Sequence, residues 1–224
     1  MKKSALIIGD SGGLGAALGL SVGSRPEWHV DGLSRSRDGL DLCDETALAE
    51  AADARAGVEY DLIFIATGIL GTAAFDPEKS FKQLSASAMR DVFAANTIGP
   101  ALAIKHFAPL LARDRRSVFT ALSARVGSIG DNRLGGWMSY RASKSALNQI
   151  MHCAAIEFAR SRKHAIFACL HPGTVETSLS QKYARGRFTA SPMDAAQSLL
   201  TVCENLSPCD NGGFFDYTGA PIPW

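Results

Sequence analysis

Near its start the chain reads Ala5-Leu6-Ile7-Ile8-Gly9-Asp10-Ser11-Gly12-Gly13-Leu14-Gly15. The apolar residues at 5–8 predict a buried strand, and the helical spacing of apolar residues at 14–22 predicts a helix directly after the turn. Glycines in such a turn let the backbone approach a pyrophosphate, which the N–H groups at the helix start can bind. The spacing Gly9-x-x-x-Gly13-x-Gly15 differs from GxGxxG, so an ordinary glycine-rich turn stays an alternative at this point.

Apolar strands and helical segments alternate along the rest of the chain. The patterns predict strands at 5–8, 28–33, 61–66, 117–122, 165–170 and 213–217, and helices at 14–22, 45–56, 87–112, 139–160 and 192–205. Pro100 and Pro109 are expected to make the longest helix irregular. The alternation predicts one Rossmann-type α/β domain over residues 1–224, a doubly wound parallel sheet with helices on both faces.

Composition narrows the class of protein. Basic and acidic residues nearly balance, 23 against 22, so nothing indicates nucleic acid or a membrane as a partner. The apolar stretch behind Met1-Lys2-Lys3 is too short for a secretory signal, and no apolar run approaches the ~20 residues of a membrane span. The five cysteines have no CxxC spacing, and the histidines have no metal-ligand spacing. These features predict a cytoplasmic protein with reduced thiols and no metal site.

A second informative stretch is Tyr140-Arg141-Ala142-Ser143-Lys144. A tyrosine and a lysine four residues apart share one face of a helix. A phenol titrates near pH ~10, and a nearby ammonium would lower that pKa by favouring the phenolate. The pair is therefore a candidate acid/base. The same spacing occurs in many helices by chance, so its weight comes from the glycine turn in the same chain.

The end of the second predicted strand bears on the choice between two dinucleotides. A fold that binds NAD usually has an acidic residue here to hold the ribose 2′-hydroxyl. This chain has Ser34 and Arg35 instead, and a guanidinium can form paired, charge-assisted hydrogen bonds with a 2′-phosphate. The sequence therefore favours NADP(H) over NAD(H), with solvated loop charges at Arg35 and Arg37 as the alternative. Asp41-Leu42 follow closely and could meet the adenine edge.

In the order of these motifs the chain resembles the short-chain dehydrogenase/reductase family over nearly its whole length. The motifs are the glycine turn, Asp41-Leu42, Asn96, a serine-bearing strand, Tyr140 with Lys144, and Pro172-Gly173-Thr174-Val175-Glu176-Thr177. Residues 125–129, 135–137, 140–148 and 221–224 are most similar to its C-factor and sniffer-like carbonyl reductase branch.

The resemblance implies a role for each matching residue. Tyr140 would protonate the carbonyl oxygen as hydride arrives from the nicotinamide, and Lys144 would hold the nicotinamide ribose and lower the pKa of Tyr140. Asn96 would bend a helix and carry a water of the proton relay. The implied catalytic set is Asn96, Ser123, Tyr140 and Lys144. The implied cofactor-binding set is Gly9, Ser11, Gly12, Gly13, Leu14, Gly15, Ser34, Arg35, Asp41, Leu42, Ala66, Thr67, Gly68, Asn96, Tyr140, Lys144, Pro172, Gly173, Val175 and Thr177.

Three positions depart from the family pattern. Ile8 stands where the family has a threonine, and Ile65-Ala66-Thr67-Gly68 replaces its asparagine-rich turn. The usual pair of adjacent serines reads Ser123-Ala124 and, aligned on Gly127, Ala124 falls at the catalytic serine. Ser123 could take that role through a shifted strand end, Ser128 could reach in from the loop, or the enzyme could work without this hydroxyl. We take Ser123 as the candidate.

These residues favour an NADP(H)-dependent oxidoreductase that interconverts a small-molecule carbonyl compound and its alcohol. Substrate walls are expected beyond the strand ends, at 68–72, 128–138 and 178–188. The apolar candidates for these walls are Leu70, Trp137, Met138 and Tyr183, and a solvated basic face is expected from Lys182, Arg185 and Arg187.

Two other interpretations stay open. Ala124 and the C-factor resemblance allow a dinucleotide-binding regulatory or signalling protein with weak or vestigial catalysis. A Rossmann-type scaffold that binds no nucleotide is the third. The resemblance also implies a homodimer or homotetramer, assembled through the helices that contain Asn96 and Tyr140.

Overall fold

The structure, a computed structural model, describes residues 2–184 and 186–224. Its centre is one sheet of six parallel strands in the order β2-β1-β3-β4-β5-β6. The strands are β1 (Lys3–Ile8), β2 (Trp28–Leu33), β3 (Leu62–Ile65), β4 (Ser117–Leu122), β5 (Ala165–His171) and β6 (Gly213–Asp216). Each strand coincides with a predicted one to within two residues at either end. The predicted Rossmann-type fold is therefore confirmed.

Helices connect the strands and cover the sheet. They are α1 (Gly13–Gly23), α2 (Arg35–Asp38), α3 (Glu45–Asp53), α4 (Ala86–Phe93), α5 (Gly99–Phe107), α6 (Met138–Phe158), α7 (Ser178–Ala184) and α8 (Pro192–Asn205). Among the helices described, none is long and apolar enough to cross a membrane. The start of α8 illustrates how the sequence sets a boundary, because the Ser191 hydroxyl accepts the Asp194 N–H and Pro192 occupies the first turn.

Both faces of the sheet are buried under helices. On β3, Ile63 and Ile65 enter the core beneath α3, α5 and α6, whereas Leu62 and Phe64 enter the core beneath α1 and α8. All four side chains are at most 4% exposed. A strand covered on both faces needs apolar residues at every position, which is why the sequence of β3 shows a continuous run instead of alternation.

The predicted single helix at 87–112 is wrong. The structure has α4, then a π-helical segment Ala94–Ile98, then α5, and a 3₁₀ turn Ala108–Leu110. Pro100 lies in the first turn of α5, where its missing N–H is tolerated, and Pro109 lies in the 3₁₀ turn. The apolar spacing continues through these segments, so the periodicity did not reveal the breaks.

Two smaller differences concern helix ends and a short helix. The helix predicted at 45–56 ends at Asp53, and α2 was not predicted because four polar residues, Arg35–Asp38, give no apolar period. α2 begins after Ser34, and its last residue is followed by Gly39 in a left-handed conformation, with φ +68°.

The strand order places the loops of interest at one edge. β1 lies between β2 and β3, so the connections that leave β1 and β3 run towards opposite edges of the sheet. A crevice therefore opens between them at the carboxyl ends of the strands. The glycine turn follows β1, residues 66–68 follow β3, Ser123-Ala124 follow β4, and Pro172-Gly173 follow β5. Motifs far apart in the sequence therefore meet there.

Candidate active site

The glycine turn packs closely against the loop after β3. Gly9 has φ +95°, and a Cβ atom there would lie 2.7 Å from Thr67 Cγ2. A Cβ atom on Gly15 would lie 2.1 Å from the Gly9 carbonyl oxygen. A larger residue does not fit at either position without moving backbone. The start of α1 is thereby held against the strand ends, which is the arrangement expected of a pyrophosphate-binding turn.

A cavity of about 650 Å³ lies over the carboxyl ends of the strands. Many predicted site residues line it: Gly12, Gly13, Leu14, Ala66, Thr67, Gly68, Ser123, Tyr140, Lys144, Pro172, Gly173, Val175 and Thr177. The others do not line it: Gly9, Ser11, Gly15, Ser34, Arg35, Asp41, Leu42 and Asn96. Among these, Ser34 and Arg35 follow β2, where the adenosine end of a dinucleotide would lie in this fold.

Tyr140 and Lys144 lie one helical turn apart on α6. The Lys144 Nζ atom is 5.9 Å from the centroid of the Tyr140 ring and donates a hydrogen bond to the Leu122 carbonyl oxygen at 2.7 Å. Lys144 is 2% exposed. Because an ammonium has three N–H donors, this bond leaves two for a ligand such as a ribose.

Asn96 connects the loop after β3 to α6. Its Oδ1 accepts the Ile69 N–H and its Nδ2 donates to the Ile69 carbonyl, each at 2.8 Å, and Nδ2 also donates to Ser143 Oγ at 3.1 Å. A Cβ atom on Gly68 would lie 3.3 Å from both Asn96 Oδ1 and Lys144 Nζ. Asn96 lies in the π-helical segment, so the helix is irregular at this residue as expected. Its water-carrying role stays a prediction.

The electrostatics of the Tyr140–Lys144 pair differ from the expectation. Burial raises the pKa of Tyr140 to about 12. Burial also lowers the pKa of Lys144 to about 8, and the Cys169 thiol opposes this slightly. The predicted lowering of the Tyr140 pKa by Lys144 is wrong for this arrangement, because burial alone shifts this pKa and the Lys144 ammonium donates its hydrogen bond to Leu122. Tyr140 therefore keeps its proton at neutral pH.

The serines near the strand end are held by other groups. Ser123 Oγ donates to Asn148 Oδ1 at 2.6 Å, and a hydroxyl has only one proton to donate. Ser128 Oγ accepts the Asp131 N–H at 3.0 Å and does not line the cavity. Ala124 does line the cavity, without a hydroxyl. Ser128 therefore lies away from the site. Ser123 lies in the wall of the cavity, but its hydroxyl proton is donated to Asn148.

The polar side chains after β2 differ in whether other residues of the chain bind them. The Ser34 N–H and hydroxyl both donate to the Asp38 carboxylate, at 2.8 and 3.4 Å, and Ser34 is 3% exposed. Arg37 pairs with Asp10 at 2.7 Å and with Asp38 at 3.1 Å. Arg35 is exposed and makes no side-chain hydrogen bond or ion pair within the described part of the chain. Its guanidinium is thus available to an anionic ligand.

Asp41 and Leu42, the predicted contacts of the adenine edge, differ in their exposure. Asp41 is exposed, and its carboxylate accepts the Cys43 N–H at 2.9 Å. Leu42 is buried in the core beneath α3, α5 and α6, and a Cβ on Gly99 would lie 2.7 Å from its Cβ. A contact of this pair with an adenine stays a prediction, and the Leu42 side chain is not available for it.

The substrate side of the cavity has an aromatic wall. Trp137 has φ 53°, an uncommon conformation for a non-glycine residue, and its N–H donates to the Glu78 carbonyl at 2.5 Å. The Trp137 ring packs edge-on against Tyr140 and Tyr183, with centroids 6.4 and 6.1 Å away. Leu70 also lines the cavity, whereas Met138 does not.

The predicted basic face is only partly solvated. Lys182 is ion-paired with Asp76, which also accepts the Tyr183 hydroxyl at 3.0 Å, and Arg187 lines the cavity. Arg185 lies outside the described residues. The contacts of Lys182 and Tyr183 with Asp76 join α7 to the segment after β3.

Sequence reasoning missed two polar residues of the site, His171 and Asn148. His171 lines the cavity, and its Nδ1 atom is enclosed with no hydrogen-bond partner among the described residues. Burial and the Arg125 charge lower its pKa to about 4, and Asp216 opposes this. A polar residue at the carboxyl end of a buried strand was the available signal for His171. Asn148 gave no signal, because its partner Ser123 is distant in sequence.

The pH dependence of stability should reflect His171. The folded pKa of about 4 lies below the ordinary value of 6.5, so the unfolded chain binds a proton first as the pH falls. The contribution of the neutral imidazole to the free energy of unfolding is complete above pH 6.5 and decreases as the pH falls through 4, by on the order of 3 kcal/mol in total. Urea unfolding between pH 7.5 and 4.5 measures it. The His171→Phe variant should lose this slope, and an unchanged slope would contradict the assignment.

The site fits a dinucleotide on the chain's own geometry. Gly13 lines the cavity, and a Cβ there would approach Thr177 Cγ2 to 3.1 Å. The absence of a side chain at Gly13 therefore keeps the space between these two residues open. The Thr67 Oγ1 atom is enclosed without a hydrogen-bond partner in the described residues. Lys144 has unused donors and Arg35 is an available guanidinium. Within residues 2–184 and 186–224, no group of three His, Cys, Asp or Glu could hold a metal ion.

Comparison with known sequences agrees with a site that fits a dinucleotide. The model of the short chain dehydrogenase family matches residues 3–187. An uncharacterized oxidoreductase of Schizosaccharomyces pombe is 32% identical over 145 residues, which are 59% of this chain and 56% of that relative's own length. The 1-hydroxy-2-glutathionyl-2-methyl-3-butene dehydrogenase of Rhodococcus sp. (strain AD45) is 30% identical over 191 residues, 83% of this chain and 79% of the relative.

Solved structures show the same fold. The carbonyl reductase Sniffer of Drosophila melanogaster superposes with a TM-score of 0.82 at 20% identity, over 100% of both chains. The NADPH-bound carbonyl reductase from chicken fatty liver superposes with a TM-score of 0.81 at 21% identity, over 99% of this chain and 94% of that one.

Fold, site and comparisons together define an NAD(P)-dependent oxidoreductase acting on small molecules. The chain belongs to the short-chain dehydrogenase/reductase family. The membership of this family that the sequence motifs indicated is thereby confirmed.

Proposed function

We propose that this chain is an NADP(H)-dependent carbonyl reductase whose acid/base is Tyr140. The observation that carries the proposal is the position of Tyr140 and Lys144, which line one cavity together with the glycine turn. The apolar and aromatic wall formed by Leu70, Trp137 and Tyr183 suits a carbonyl compound with an apolar substituent.

The chain's own residues account for the proton in this reaction. A bound nicotinamide supplies the hydride that is added to the carbonyl carbon. Tyr140 Oη donates the proton to the oxygen, and its pKa of about 12 keeps that proton in place at neutral pH. Lys144 holds the cofactor ribose with its unused N–H groups, and the aromatic wall excludes water. In the reverse direction Tyr140 must first lose its proton, and the resulting phenolate accepts the proton from the alcohol.

Arg35 is the residue that we propose selects NADP(H). It is exposed at the end of β2 and its guanidinium makes no ion pair in the described chain, whereas Arg37 is engaged by Asp10 and Asp38. The NADPH complex of the chicken carbonyl reductase, which has the same fold, supports this choice of cofactor.

We expect Arg35→Ala to raise the Kd for NADPH by roughly 10–100-fold, the value of hydrogen bonds to a charged group, and to leave the Kd for NADH within about twofold. Fluorescence titration measures both. Arg160→Ala is the matched control, because it removes another exposed positive charge, two residues past the end of α6. Equal weakening of both cofactors by Arg35→Ala would contradict selection by this residue.

The proposed function is tested by titrating the purified chain with NADPH and NADH, then following NADPH oxidation against a panel of ketones and aldehydes. Tight NADPH binding with turnover of at least one carbonyl compound is the expected result. Binding without turnover across a broad panel would overturn the reductase and favour the regulatory alternative.

One observation keeps that alternative, a dinucleotide-binding regulatory protein with weak catalysis, as a second candidate. Ala124 removes the hydroxyl expected beside Tyr140, and Ser123 donates its proton to Asn148 instead. The carbonyl panel separates the two candidates, since efficient turnover of one substrate would exclude the regulatory protein.

We also propose a homodimer or homotetramer located in the cytoplasm. Ile98 and Ile156, in the helical segments expected at the interfaces, are 51% and 53% exposed, which leaves apolar surface for a second copy. The five cysteines are free thiols, as a reducing compartment would keep them. Sedimentation velocity and cell fractionation measure the two properties, and a monomeric or exported protein would contradict them.

A further inference from the structure

The substrate oxygen lacks one hydrogen-bond donor in this site. Stabilising the charge that develops on a carbonyl oxygen takes preorganised donors, and one of them here is the Tyr140 hydroxyl. At the aligned position of the second, Ala124 presents a methyl group to the cavity. Ser123 donates its only proton to Asn148, and Ser128 lies outside the cavity. Any second donor must therefore come from another residue.

His171 lies across from Ser123 on the neighbouring strand and lines the same cavity as Ala124. β4 and β5 are paired with Leu122 opposite Leu170, and the Ser123 N–H donates to the Leu170 carbonyl at 2.8 Å. His171 is the next residue on β5, so it is a neighbour of Ser123-Ala124 across the strand pair. His171, Ala124 and Tyr140 line the same cavity.

The surroundings of His171 determine which ring nitrogen carries the proton. Nδ1 is enclosed and has no partner among the described residues. A buried N–H without an acceptor is rarer in proteins than an under-used acceptor, so the lone pair belongs on Nδ1 and the proton on Nε2. Nε2 makes no hydrogen bond within the described chain and is not enclosed as Nδ1 is. The N–H is therefore left for a ligand in the cavity.

The charged neighbours of His171 are engaged with one another. Arg125 donates to Asp216 at 2.9 Å and to Asp131 at 3.2 Å, so its guanidinium is directed towards carboxylates. Asp216 Oδ1 in turn accepts the Thr218 N–H at 2.9 Å and the Thr218 hydroxyl at 2.6 Å. Among the described residues the imidazole thus has neither an ion-pair partner nor a hydrogen bond, although Asp216 is paired with His171 across the β5–β6 ladder and the Arg125 charge acts on the ring. A histidine that only filled space would not need an N–H at this position.

We propose that the His171 Nε2–H group replaces the hydroxyl missing at Ala124 and, together with Tyr140 Oη, donates a hydrogen bond to the substrate oxygen. The inference rests on the proposed carbonyl reduction. It names a substrate-contacting residue outside the motifs that defined the site, and it explains how the site can be active without a serine at position 124.

Substituting His171 with glutamine or asparagine tests which ring nitrogen donates the hydrogen bond. A glutamine at 171 places an N–H group near the position of imidazole Nε2, whereas an asparagine reaches only the position of Nδ1. We expect His171→Asn to lower kcat/KM for carbonyl reduction by on the order of 100-fold, the effect of removing one such donor, and His171→Gln to lose less than about tenfold. The NADPH Kd should stay within about twofold in both variants. Equal losses in the two variants, or none in either, would overturn the proposal.

A double-mutant cycle with Ala124→Ser separates contact with the substrate from structure. Ala124 is partly exposed to the cavity, so a serine fits there and restores the hydroxyl. In the Ala124→Ser background, His171→Asn should cost only a few-fold, because the new hydroxyl supplies the second donor. The same 100-fold loss in both backgrounds would mean that His171 acts through the fold.

The outcomes also separate this proposal from the proposed function. An unmutated chain that binds NADPH but reduces no compound of the panel overturns both. Turnover by the unmutated chain that is unaffected by His171→Asn overturns the role of His171 alone and leaves the reductase standing. Thermal unfolding of each variant, compared with the unmutated chain, verifies that a lost rate does not come from lost folding.

Discussion

Tyr140→Phe is expected to lower kcat/KM for carbonyl reduction by roughly 10³-fold, within the range for loss of a general acid. The variant removes one oxygen atom, the only group of the ring that can give a proton to the substrate. Stability should be little changed, because Tyr140 Oη makes no hydrogen bond with another described residue, and the ring keeps its packing against Trp137. Steady-state kinetics at saturating NADPH measures the loss, and titration should give an unchanged NADPH Kd.

Tyr183→Phe is the matched control for this prediction. It removes the same atom from a second tyrosine of the cavity wall, whose hydroxyl donates to Asp76 at 3.0 Å on an exposed surface. Its effect on kcat/KM should stay within a few-fold. A Tyr140→Phe enzyme that keeps a tenth or more of the activity, or a Tyr183→Phe enzyme that loses as much, would refute Tyr140 as the proton donor.

Gly15→Ala should have the largest effect on folding and cofactor binding. The new Cβ would lie 2.1 Å from the Gly9 carbonyl oxygen and 2.8 Å from its carbon. Because both atoms belong to the backbone, no side chain can move aside, and the turn must separate from α1. We expect a loss of about 3 kcal/mol in the free energy of unfolding. NADPH affinity should fall by at least about 100-fold, as the displaced turn no longer presents its N–H groups.

Gly19→Ala, one helical turn further along α1, is the control. Nothing lies within 4 Å of a Cβ at this position, and the residue is helical. Alanine has less freedom in the unfolded chain, so the variant should be about 0.5–1 kcal/mol more stable. Urea denaturation measures both variants. A Gly15→Ala chain as stable as the unmutated one would show that the turn has room to adjust.

The parallel sheet was predictable because its physical requirement is local. A strand covered on both faces must be apolar at successive positions, and β1, β3 and β5 carry such runs, whereas the edge strand β2 alternates apolar and polar residues. The breaks at Ala94–Ile98 were not predictable, since a π-helical segment inserts a residue into a turn without interrupting the apolar spacing. The four-residue helix α2 escaped detection for the related reason that it buries no residue.

The sequence predicted those site residues that belong to a motif with fixed spacing. It did not predict the properties that depend on contacts between distant residues. Tyr140 and Lys144 were found because one helix fixes their spacing. The pKa of Tyr140 was expected to be lowered and is raised, because hydration depends on everything packed around the ring. Ser123 was named from its place in the chain, yet the direction of its hydroxyl is set by Asn148, 25 residues away.

By itself the sequence determined the positions of the six strands along the chain, the glycine turn, the Tyr140–Lys144 pair and the loss of a serine at Ala124. These depend on residue type and on spacing within single elements. Only the tertiary structure decided that, among the described residues, Arg37 is ion-paired and Arg35 is not, and that His171 lines the same cavity as Ala124 with its Nδ1 atom enclosed. Such properties arise between strand ends that the sheet brings together, and hydrogen bonding and burial exist only once those ends meet.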